Sequence, residues 1–579
     1  MRDLFITSNR APFSFSGDFL DQAAVALRKK IRPKTPAFGE GGLVQAMSGL
    51  LKSDQWKTTW LGASMGDKDI DVTRGHYSGL FSKMKREKHA PTHFPLIEID
   101  PDTRMHFKFK DYDFFMRFVF FDLKHMQSYY RKFSNGFLWP LMHLTSSPVF
   151  YKKTTTFPRP YFEKSDFVQY TSSSVTFANT LIDEIKKSRE FKENGGDIVV
   201  WNQDYHLMQL SEIFKALLKE EEFTREEGRK IHIGQFIHTP FFNIHEIQGL
   251  IREDRRTRIK GQSYDPFAEN IESVLQKLTW GMLANDFIGF HTKEYCDNYL
   301  EALEEWFPVE IRVTDRFYEI SYQDQVTTIG AFPIGLDVDK ILFEVQKEKR
   351  LSHRFKKESL YKMIKQDKTD KRIIFGGLER CDYTKGLVER LAIFGHTYKK
   401  LQSSGHQARF YQISAPSRSD NIDYKKLVLV LDQQVEKINS QLKDNPVTYL
   451  PDGISVPQNY RFMKEIDVMM VTPLEDGMNL VAFEYILSQK YNPPQNRGIL
   501  VLSTSGASRV LKQTGFGETD GIIYVNTMRP GEAGERIFQA LRKGLHLSEA
   551  VIQYVEKERR INDWANDNIE AILNCRTTI

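Results

Sequence analysis

The chain has 579 residues, more than one hydrophobic core usually holds, so two large domains are expected. Aromatic residues make up 13% and charged residues 27% of the sequence, which excludes an intrinsically disordered protein. The 81 basic and 76 acidic residues are spread along the chain with a net charge of +5, so no clustered basic face predicts a nucleic-acid partner.

Short apolar runs alternate with long amphipathic stretches, the pattern of parallel β/α units. The predicted strands are Asp3–Thr7, Asp197–Trp201, Ile231–Ile237, Asp286–Phe290, Arg372–Phe375, Ala408–Ile413, Val468–Val471 and Gly498–Leu502. The predicted helices are Val168–Lys187, Ile271–Ala284, Lys385–Leu401, Asn479–Gln489 and a last helix from about Ile552 to Leu573. The sequence therefore predicts an α/β protein.

The best domain boundary lies near Phe332–Gly335, after which a new β/α series begins. This divides the chain into an N-terminal domain, 1–330, and a C-terminal domain, 331–550. The remaining residues, 551–579, form a C-terminal helix that either extends the second domain or crosses back to the first. Two charged or Gly/Pro-containing segments, Ala11–Glu40 and Glu253–Pro266, are interpreted as mobile loops.

The three cysteines, Cys296, Cys381 and Cys575, form neither a metal-binding motif nor a disulfide framework. The first residues lack the apolar stretch of a secretory signal, and no run approaches the roughly 18 apolar residues of a membrane span. We expect a soluble, cytoplasmic protein with reduced thiols and with no membrane or nucleic-acid partner. Whether it forms a homo-oligomer is left open.

The segment from Asp476 to Glu484 reads Asp-Gly-Met-Asn-Leu-Val-Ala-Phe-Glu and lies between a predicted strand and a predicted helix. A helix N-terminus presents unpaired N–H groups that suit a diphosphate and sugar hydroxyls. Gly477 lets the backbone approach a ligand, and Glu484 is placed to accept both hydroxyls of a ribose. Taken alone, the segment favours the plain interpretation, with Asp476 as a helix cap and Glu484 as a solvent-facing carboxylate.

A second segment, Gly376–Gly386, also follows a predicted strand and precedes a helix. It carries Arg380 and Lys385, two cations that could neutralise a departing diphosphate without a metal ion. The plain alternative is a Gly-rich loop with two solvated side chains.

Together these two segments resemble the donor site of the retaining glycosyltransferases of family 20. Further matching blocks occur in the family's order along almost the full chain. They are Ser8–Arg10, Gly41–Leu43, Tyr129–Pro140, Trp201–Leu207, Phe236–Phe241, Phe290–Thr292, Phe332–Gly335 and Ala415–Arg418. The resemblance implies the GT-B fold, an α/β architecture of two Rossmann-like domains whose parallel sheets face a central cleft that holds the substrates.

The resemblance also assigns the site residues. Those implied to bind a sugar-phosphate acceptor are Arg10, Tyr130, Trp139, Asp204 and Arg418. Those implied to bind the nucleotide-sugar donor are Gly42, His238, Arg380, Lys385, Asp476, Gly477, Met478, Asn479, Leu480, Val481 and Glu484. Asp204, His238, Arg380 and Lys385 are the residues implied in catalysis, with no metal and no cofactor. Without the family, Trp139 would be interpreted as core, His206 and His238 as structural histidines, and Asp204 as a cap.

Three features depart from the pattern or compete with it. Glu475 stands where the family usually has a basic residue, and Phe483 replaces a common lysine, which affects the expected choice of donor nucleotide. Asp69-Ile-Asp-Val-Thr73 spells the Asp-x-Asp-x-Thr motif of haloacid-dehalogenase phosphatases. That motif requires an apolar strand directly before it, whereas a turn-forming stretch precedes Asp69. We therefore do not expect it to be catalytic.

The resemblance implies that glucose moves from a nucleotide sugar, with UDP-glucose the leading candidate, to glucose 6-phosphate with retention of configuration, giving trehalose 6-phosphate. No motif residue is placed as a covalent nucleophile, so attack is expected on the face from which the diphosphate leaves. Two alternatives stay open: an enzyme with another phosphorylated acceptor, as in glucosylglycerol-phosphate synthases, and a non-catalytic sugar-phosphate sensor.

Overall fold

The computed structural model describes residues 2–29, 47, 49–52, 55–86, 96–99, 104–109, 111–143, 160–187, 197–220, 230–261, 270–346, 358–417 and 422–576. The chain forms two compact units. The first unit consists of Met1–Trp139, Tyr161–Phe332 and Asn562–Ile579, and the second unit consists of Pro140–Pro160 and Pro333–Ile561. The α/β class expected from the sequence is confirmed.

The first unit is built on an eleven-stranded sheet in the order β3-β4-β5-β2-β1-β6-β7-β8-β11-β10-β9. Its strands are β1 (Arg2–Ser8), β2 (Trp56–Ala63), β3 (Leu96–Ile99), β4 (Met105–Phe109), β5 (Tyr112–Val119), β6 (Ile198–Gln203), β7 (Ile231–Phe236), β8 (Phe287–Phe290), β9 (Glu310–Val313), β10 (Phe317–Tyr322) and β11 (Gln325–Ala331). Within this order, all neighbouring strands from β5 through β2, β1, β6, β7 and β8 to β11 are parallel. At the two edges, β4 and β3 and also β10 and β9 are added in antiparallel pairs.

Helices cover this sheet because their apolar residues recur every three or four positions. The longest, Lys164–Lys187, buries Phe177, Leu181 and Ile185 against strand residues such as Ile198. The other helices of three turns or more are Gly17–Lys29, Gln127–Leu138 (π-helical), Leu210–Glu220, Ile244–Gly261, Ile271–Met282, Lys293–Trp306 and Ile561–Asn574.

The second unit has a six-stranded, fully parallel sheet in the order β14-β13-β12-β15-β16-β17. Its strands are β12 (Ile373–Arg380), β13 (Ala408–Ala415), β14 (Val447–Leu450), β15 (Val468–Val471), β16 (Ile499–Leu502) and β17 (Ile522–Tyr524). Its main helices are Val338–Gln346, Glu358–Thr369, Leu387–Ser403, Ile422–Gln441, Val456–Glu465, Val481–Ser488, Gly506–Gln513, Pro530–Arg542 and Glu549–Glu558.

Both sheets contain the doubly wound strand order 3-2-1-4-5-6. In the first unit it runs β5-β2-β1-β6-β7-β8, and in the second it runs β14-β13-β12-β15-β16-β17. The order reverses between β1 and β6 and between β12 and β15. Ligands of open α/β sheets bind outside the carboxyl ends of the strands at such a switch point. The fold therefore marks one ligand-binding edge in each unit.

Several predicted boundaries were wrong for identifiable reasons. The expected helix Lys385–Leu401 begins only at Leu387, because Gly386 adopts a left-handed φ of 60°. The expected helix Asn479–Gln489 begins only at Val481, since Asn479 also has a positive φ, 58°. A left-handed residue cannot continue a right-handed helix, and each therefore sets a helix start.

The two predicted loops were wrong where the structure has helix, whereas residues 11–16 form neither helix nor strand, as predicted. Gly17–Lys29 is a helix within Ala11–Glu40, and Glu253–Gly261 belongs to helix Ile244–Gly261. Residues 30–40 and 262–266 of these segments lie outside the described residues.

The single C-terminal helix expected near Ile552–Leu573 is two helices that break at Arg559 and Arg560. There the backbone pairs with Leu336 instead of continuing the helix: Leu336 N donates to Arg559 O, and Ile561 N donates to Leu336 O. After this break, residues from Asn562 onward belong to the first unit, where the tilted rings of Trp564 and Trp201 have centroids 5.4 Å apart.

Candidate functional site

In the second unit, the segment between β12 and its following helix carries Arg380 and Lys385 at the switch point. Arg380 ends β12 with an exposed side chain, and Lys385 ends the 3-10 turn Tyr383–Lys385 with a buried one. The turn lies close to the end of β15, because Gly386 approaches Thr472 O so closely that a Cβ would collide with it. The absence of a side chain at Gly386 thus brings Lys385 to the neighbouring strand end.

Asp476 receives the ammonium group of Lys385 in a buried ion pair. Its other carboxylate oxygen accepts the N–H of Gly477 at 3.0 Å. Burial by itself raises the pKa of Asp476, but the charges of Lys385, His143 and Arg380 outweigh burial and lower the pKa below its ordinary value. Asp476 is therefore an ionised acceptor and no plain helix cap.

The loop from Asp476 to Met478 is held by the start of helix Gly506–Gln513. Gly506 N donates to Asp476 O at 3.1 Å, and Ala507 N donates to Met478 O at 2.9 Å. A side chain on Gly506 would collide with Gly477 O. This packing fixes a loop that leads through Leu480 to the first turn of helix Val481–Ser488. N–H groups in such a first turn have no partner within the helix and suit phosphate oxygens.

Glu484 lies one turn into that helix and is partly buried. Burial raises the pKa of Glu484 to about 7; nearby Lys340 lowers it and Glu379 raises it. At a pKa of about 7 the carboxyl group is partly protonated at neutral pH. Hydroxyl donors that reach it favour the ionised form, which is the stronger acceptor.

Two residue pairs beside this site were missed by sequence reasoning. The fully buried Arg390 bonds Glu379 at 3.2 Å, and Arg509 forms a two-pronged contact with Glu475 at 2.7 and 3.2 Å. The acidic residue at 475, unexpected for the family, thus has a cationic partner in helix Gly506–Gln513. Neither pair is visible in the sequence, because the partners are 11 and 34 positions apart and no local pattern joins them.

In the first unit, Arg10 follows β1 and is exposed. Its Nη2 donates to Tyr130 Oη at 2.7 Å, and its guanidinium lies 5.5 Å from the Tyr130 ring centre. Tyr130 belongs to the π-helical segment Gln127–Leu138, in which Asn135 Nδ2 donates to Tyr130 O at 2.7 Å. Such π-helical turns often occur at functional sites.

An aromatic row continues from Tyr130. Its ring stacks at 5.8 Å on His206, which lies 4.0 Å from Tyr205, which in turn lies 6.0 Å from Trp139. Tyr205 Oη also donates to Asn135 Oδ1 at 3.1 Å, so the row is tied to the π-helical segment. Rings with polar edges at a strand end form a wall suited to a sugar.

Asp204 follows β6 directly, with a positive φ of 72° that is costly for a residue with a Cβ. Its N–H donates to Phe236 O at 2.7 Å, and its carboxylate accepts the N–H of His238 at 3.2 Å. These bonds join the carboxyl ends of β6 and β7 and fix the position of Asp204 at that edge of the sheet.

His238 follows β7, and its Nε2 lies 2.9 Å from Gln203 Oε1. Burial, and to a smaller extent the neighbouring His291, lowers the pKa of His238 well below its ordinary value. The imidazole is therefore neutral at physiological pH. Because an amide oxygen only accepts, Nε2 carries the proton in this arrangement, and Nδ1 has the lone pair.

The structure groups the predicted residues by unit. Arg10, Tyr130, Trp139, Asp204 and His238 belong to the first unit, and Arg380, Lys385, Asp476, Gly477, Met478, Asn479, Leu480, Val481 and Glu484 belong to the second. Gly42 and Arg418 lie outside the described residues. Their expected roles stay predictions.

Asp69 of the phosphatase-like string has a structural use. Its carboxylate accepts the N–H groups of Met65 at 3.0 Å, Gly66 at 2.7 Å and Phe15 at 2.6 Å. These bonds close the turn after β2, as the sequence interpretation of a preceding turn expects.

Within the described ranges, no group of three or more His, Cys, Asp or Glu side chains is placed to hold a metal ion. None of the helices in the part of the chain that the structure describes is long and apolar enough to cross a membrane.

Comparison with known proteins identifies the family. The model of glycosyltransferase family 20 matches residues 22–250 and 270–573. The 56 kDa subunit of α,α-trehalose-phosphate synthase (UDP-forming) from Saccharomyces cerevisiae is 27% identical over 87% of this chain and 82% of its own length.

Solved structures agree on the fold. An E. coli structure bound with UDP-2-fluoro glucose has a TM-score of 0.67 and 20% identity, covering 99% of this chain and 100% of its own. The Burkholderia xenovorans α,α-trehalose-phosphate synthase (UDP-forming) in complex with glucose-6-phosphate has a TM-score of 0.65 and 21% identity over the same shares of the two chains. The chain therefore belongs to glycosyltransferase family 20 and has its GT-B fold.

Proposed function

We propose that this chain is a retaining glucosyltransferase that moves glucose from UDP-glucose to glucose 6-phosphate and releases UDP and α,α-trehalose 6-phosphate. The observation that carries the proposal is the charge arrangement at the switch point of the second sheet. There Lys385 is paired with an ionised Asp476, and the exposed Arg380 ends the adjacent strand. Cations at the carboxyl edge of a parallel sheet suit a nucleoside diphosphate. The names of the similar proteins support the choice of substrates.

The donor is assigned mainly to the second unit. Arg380 and Lys385 contact the diphosphate, together with the N–H groups at the start of helix Val481–Ser488. Asp476 accepts hydroxyls of the transferred sugar, and Glu484 accepts both ribose hydroxyls. His238 and Gly42 are assigned to the donor as well, on the family pattern.

The acceptor is assigned to Arg10 and the aromatic row of the first unit. Arg10 provides a cation for the acceptor's phosphate, already oriented by Tyr130. Trp139 walls the sugar ring, and Asp204 contacts the hydroxyl that attacks. Arg418 is the proposed second phosphate ligand, again on the family pattern.

The reaction retains configuration because the acceptor hydroxyl attacks the donor's C1 on the face from which UDP leaves. The bond from C1 to the β-phosphate oxygen breaks as the new C1–O bond forms, and that phosphate oxygen takes the hydroxyl's proton. Lys385 and Arg380 stabilise the negative charge that grows on the diphosphate, which makes them most effective in the transition state. Neutral His238 can accept a hydrogen bond from a sugar hydroxyl at Nδ1 without adding a competing charge.

A panel assay tests the proposal. The purified chain is incubated with UDP-, GDP- or ADP-glucose and with glucose 6-phosphate or glycerol 3-phosphate, and the products are identified by mass spectrometry and NMR. We expect α,α-trehalose 6-phosphate from UDP-glucose and glucose 6-phosphate. Product from glycerol phosphate alone would favour the other-acceptor enzyme, and ligand binding without product would favour the sensor.

We also propose that the chain acts in the cytoplasm. A cytoplasmic location fits the supply of both phosphorylated substrates. Light scattering of the purified chain would decide between a monomer and a homo-oligomer.

A further inference from the structure

We propose that Glu379 and Arg390 form a brace that positions the two donor-contacting turns of the second unit relative to each other. This inference rests on the proposed function, because it assigns the turns to the donor. The brace lies behind the turns and acts through Lys385 and Asn479. Neither Glu379 nor Arg390 is assigned a contact with substrate.

Arg390 connects three strands of the second sheet. Its guanidinium is fully buried, and it donates to partners on β12, β13 and in the loop after β15. The contacts are Nη2 to Glu379 Oε1 at 3.2 Å, Nη1 to Gln412 Oε1 at 3.4 Å and Nε to Thr472 Oγ1 at 2.9 Å. Since β12 and β15 flank the switch point, Arg390 fixes their ends at the place where the ligand is expected.

The same guanidinium reaches the first donor-contacting turn. Its Nη2 donates to the backbone oxygen of Lys385 at 3.3 Å. This bond ties the backbone of the 3-10 turn to the helix that carries Arg390, while the Lys385 side chain pairs with Asp476. The direction of the Lys385 ammonium group thus depends on a residue five positions later in the helix.

Glu379 extends the brace to the second turn. The oxygen that accepts from Arg390 also accepts from Asn479 Nδ2 at 3.1 Å. Asn479 has a left-handed φ of 58°, and it is the residue at which the loop turns into helix Val481–Ser488. Anchoring its side chain therefore orients the first N–H groups of that helix, which are the proposed diphosphate contacts.

The glycine pair in front of Glu379 makes room for the brace. Gly376 and Gly377 lie within β12, although the sequence suggested a phosphate-binding loop. A Cβ on Gly377 would stand 2.9 Å from Arg390 Nη1 and 2.6 Å from Gln412 Oε1, closer than packed atoms tolerate. The absence of a side chain at Gly377 thus leaves the space that the Arg390 guanidinium occupies.

A stabilising core element would rarely be built this way. Replacing a buried ion pair by well-packed apolar residues is often neutral or stabilising, whereas a pair with shared hydrogen bonds fixes geometry. Burial raises the pKa of Glu379, and Arg390 and Lys385 act against this increase. One carboxylate oxygen that serves both turns is better explained by positioning.

The test compares variants of the brace with a matched variant elsewhere in the unit. The brace variants are Glu379→Gln, Arg390→Lys and Arg390→Met, and Asn479→Gly removes the anchored side chain at a left-handed position that glycine adopts easily. The control is Arg497→Lys, which alters another buried arginine, bonded to Glu549 at 2.7 Å. UDP affinity is measured by titration calorimetry, with kcat, both KM values and Tm for each variant.

We expect the brace variants to weaken UDP binding and raise donor KM by about tenfold to a hundredfold, because small misplacements of contact groups cost this much. Acceptor KM should stay within about twofold, the range of an indirect effect. Arg390→Lys should retain more affinity than Arg390→Met, and Glu379→Gln combined with Asn479→Gly should lose little beyond the larger single effect, since both break one contact. Arg497→Lys should lower Tm alone.

Brace variants that match Arg497→Lys, with a lower Tm and unchanged UDP affinity and donor KM, would overturn the inference. Fully additive losses in the double variant would overturn the proposed path through Asn479. A failure of the proposed function is recognised separately in the wild-type protein: the absence of product from UDP-glucose and glucose 6-phosphate would refute that function, and the absence of UDP binding would also overturn the inference.

Discussion

The two units carry the same strand order, and each has candidate residues directly after the two strands that flank the switch point. The first unit arranges this edge by aromatic contacts: Tyr130, His206, Tyr205 and Trp139 form a row that ends at one exposed arginine, Arg10. The second unit arranges its edge by buried charge. Equal topology has therefore been combined with two different kinds of side-chain interaction.

The difference follows from the groups that each edge is proposed to hold. A hexose presents ring faces and hydroxyls, which stacked aromatic rings match without strong charge. A diphosphate that gains charge during the reaction requires cations that are fixed beforehand, and buried pairs such as Lys385–Asp476 supply them. Electrostatic changes should thus act most strongly in the second unit.

The largest effect is expected for Lys385→Ala. It removes the cation that stabilises the departing diphosphate, so kcat should fall by about 10²- to 10³-fold, as for other preorganised charge contacts. Acceptor KM should change little, because Lys385 is assigned to the leaving group. Steady-state kinetics with both substrates varied would measure this.

Lys215→Ala is the matched control, since Lys215 forms a buried ion pair with Asp286 at 3.1 Å in the first unit. This variant should lose stability while the folded fraction keeps its turnover. Equal losses of kcat in the two variants would show that Lys385 is structural.

A smaller effect is expected for Arg10→Ala. Losing one charge-assisted contact costs about 1.5–3 kcal/mol, so acceptor kcat/KM should drop roughly tenfold to a hundredfold. Tyr130→Phe removes only the 2.7 Å bond that orients Arg10 and keeps the stacking on His206, so its effect should be milder. A rise in donor KM with unchanged acceptor kinetics would contradict the assignment.

Glu484→Gln should have opposite effects on binding and on stability. The pKa of Glu484 in the folded protein, about 7, exceeds the ordinary value of 4.5, so ionisation destabilises the folded state increasingly from about pH 4.5 to pH 7. The variant should gain up to about 3 kcal/mol at pH 8 and nothing near pH 4.5. It should bind UDP more weakly at pH 8, and its UDP affinity should vary less with pH than that of the wild type, because only the phosphate of UDP still titrates in this range.

Wild-type UDP affinity should instead fall between pH 8 and pH 6, as Glu484 becomes protonated. Thermal melts and calorimetry across this range provide the measurements. Glu212→Gln is the control, because burial also raises the pKa of Glu212, in the first unit. It should change stability and leave UDP affinity unaltered. A wild-type affinity that is constant with pH would speak against Glu484 as the ribose ligand.

The smallest effect is expected from chelation. If Arg380 and Lys385 supply the positive charge at the diphosphate, a divalent ion is not needed there. Initial rates should then be unchanged across EDTA concentrations, with or without added magnesium. A complete loss that magnesium restores would show that the leaving group is stabilised in another way.

Much of this arrangement was predictable from the sequence. Buried parallel strands appear in the sequence as continuous apolar runs, such as residues 198–201, and the segments that follow them contain the polar candidate site residues. The strands β3 to β5 and β9 to β11, which form the antiparallel pairs of the first sheet, were not predicted, because partly exposed edge strands mix polar and apolar residues. Phe317–Tyr322 shows such a mixture.

Contacts between distant residues were not predictable. The partners Glu379 and Arg390 meet only after a helix packs beneath three strands, and Glu475 finds Arg509 across two loops. Local patterns contain periodicity and turn chemistry, but they carry no information on which buried charges will face each other.

The central claim, that charge in the second unit holds the donor and stacking in the first unit holds the acceptor, is tested most directly by a crossed titration. UDP is titrated into wild type, Lys385→Ala and Arg10→Ala, and glucose 6-phosphate is titrated into each protein in the presence of saturating UDP. Lys385→Ala should weaken UDP by at least about tenfold and leave the acceptor constant within about twofold, and Arg10→Ala should do the reverse. If Arg10→Ala weakened UDP binding as strongly as Lys385→Ala does, the central claim would be contradicted.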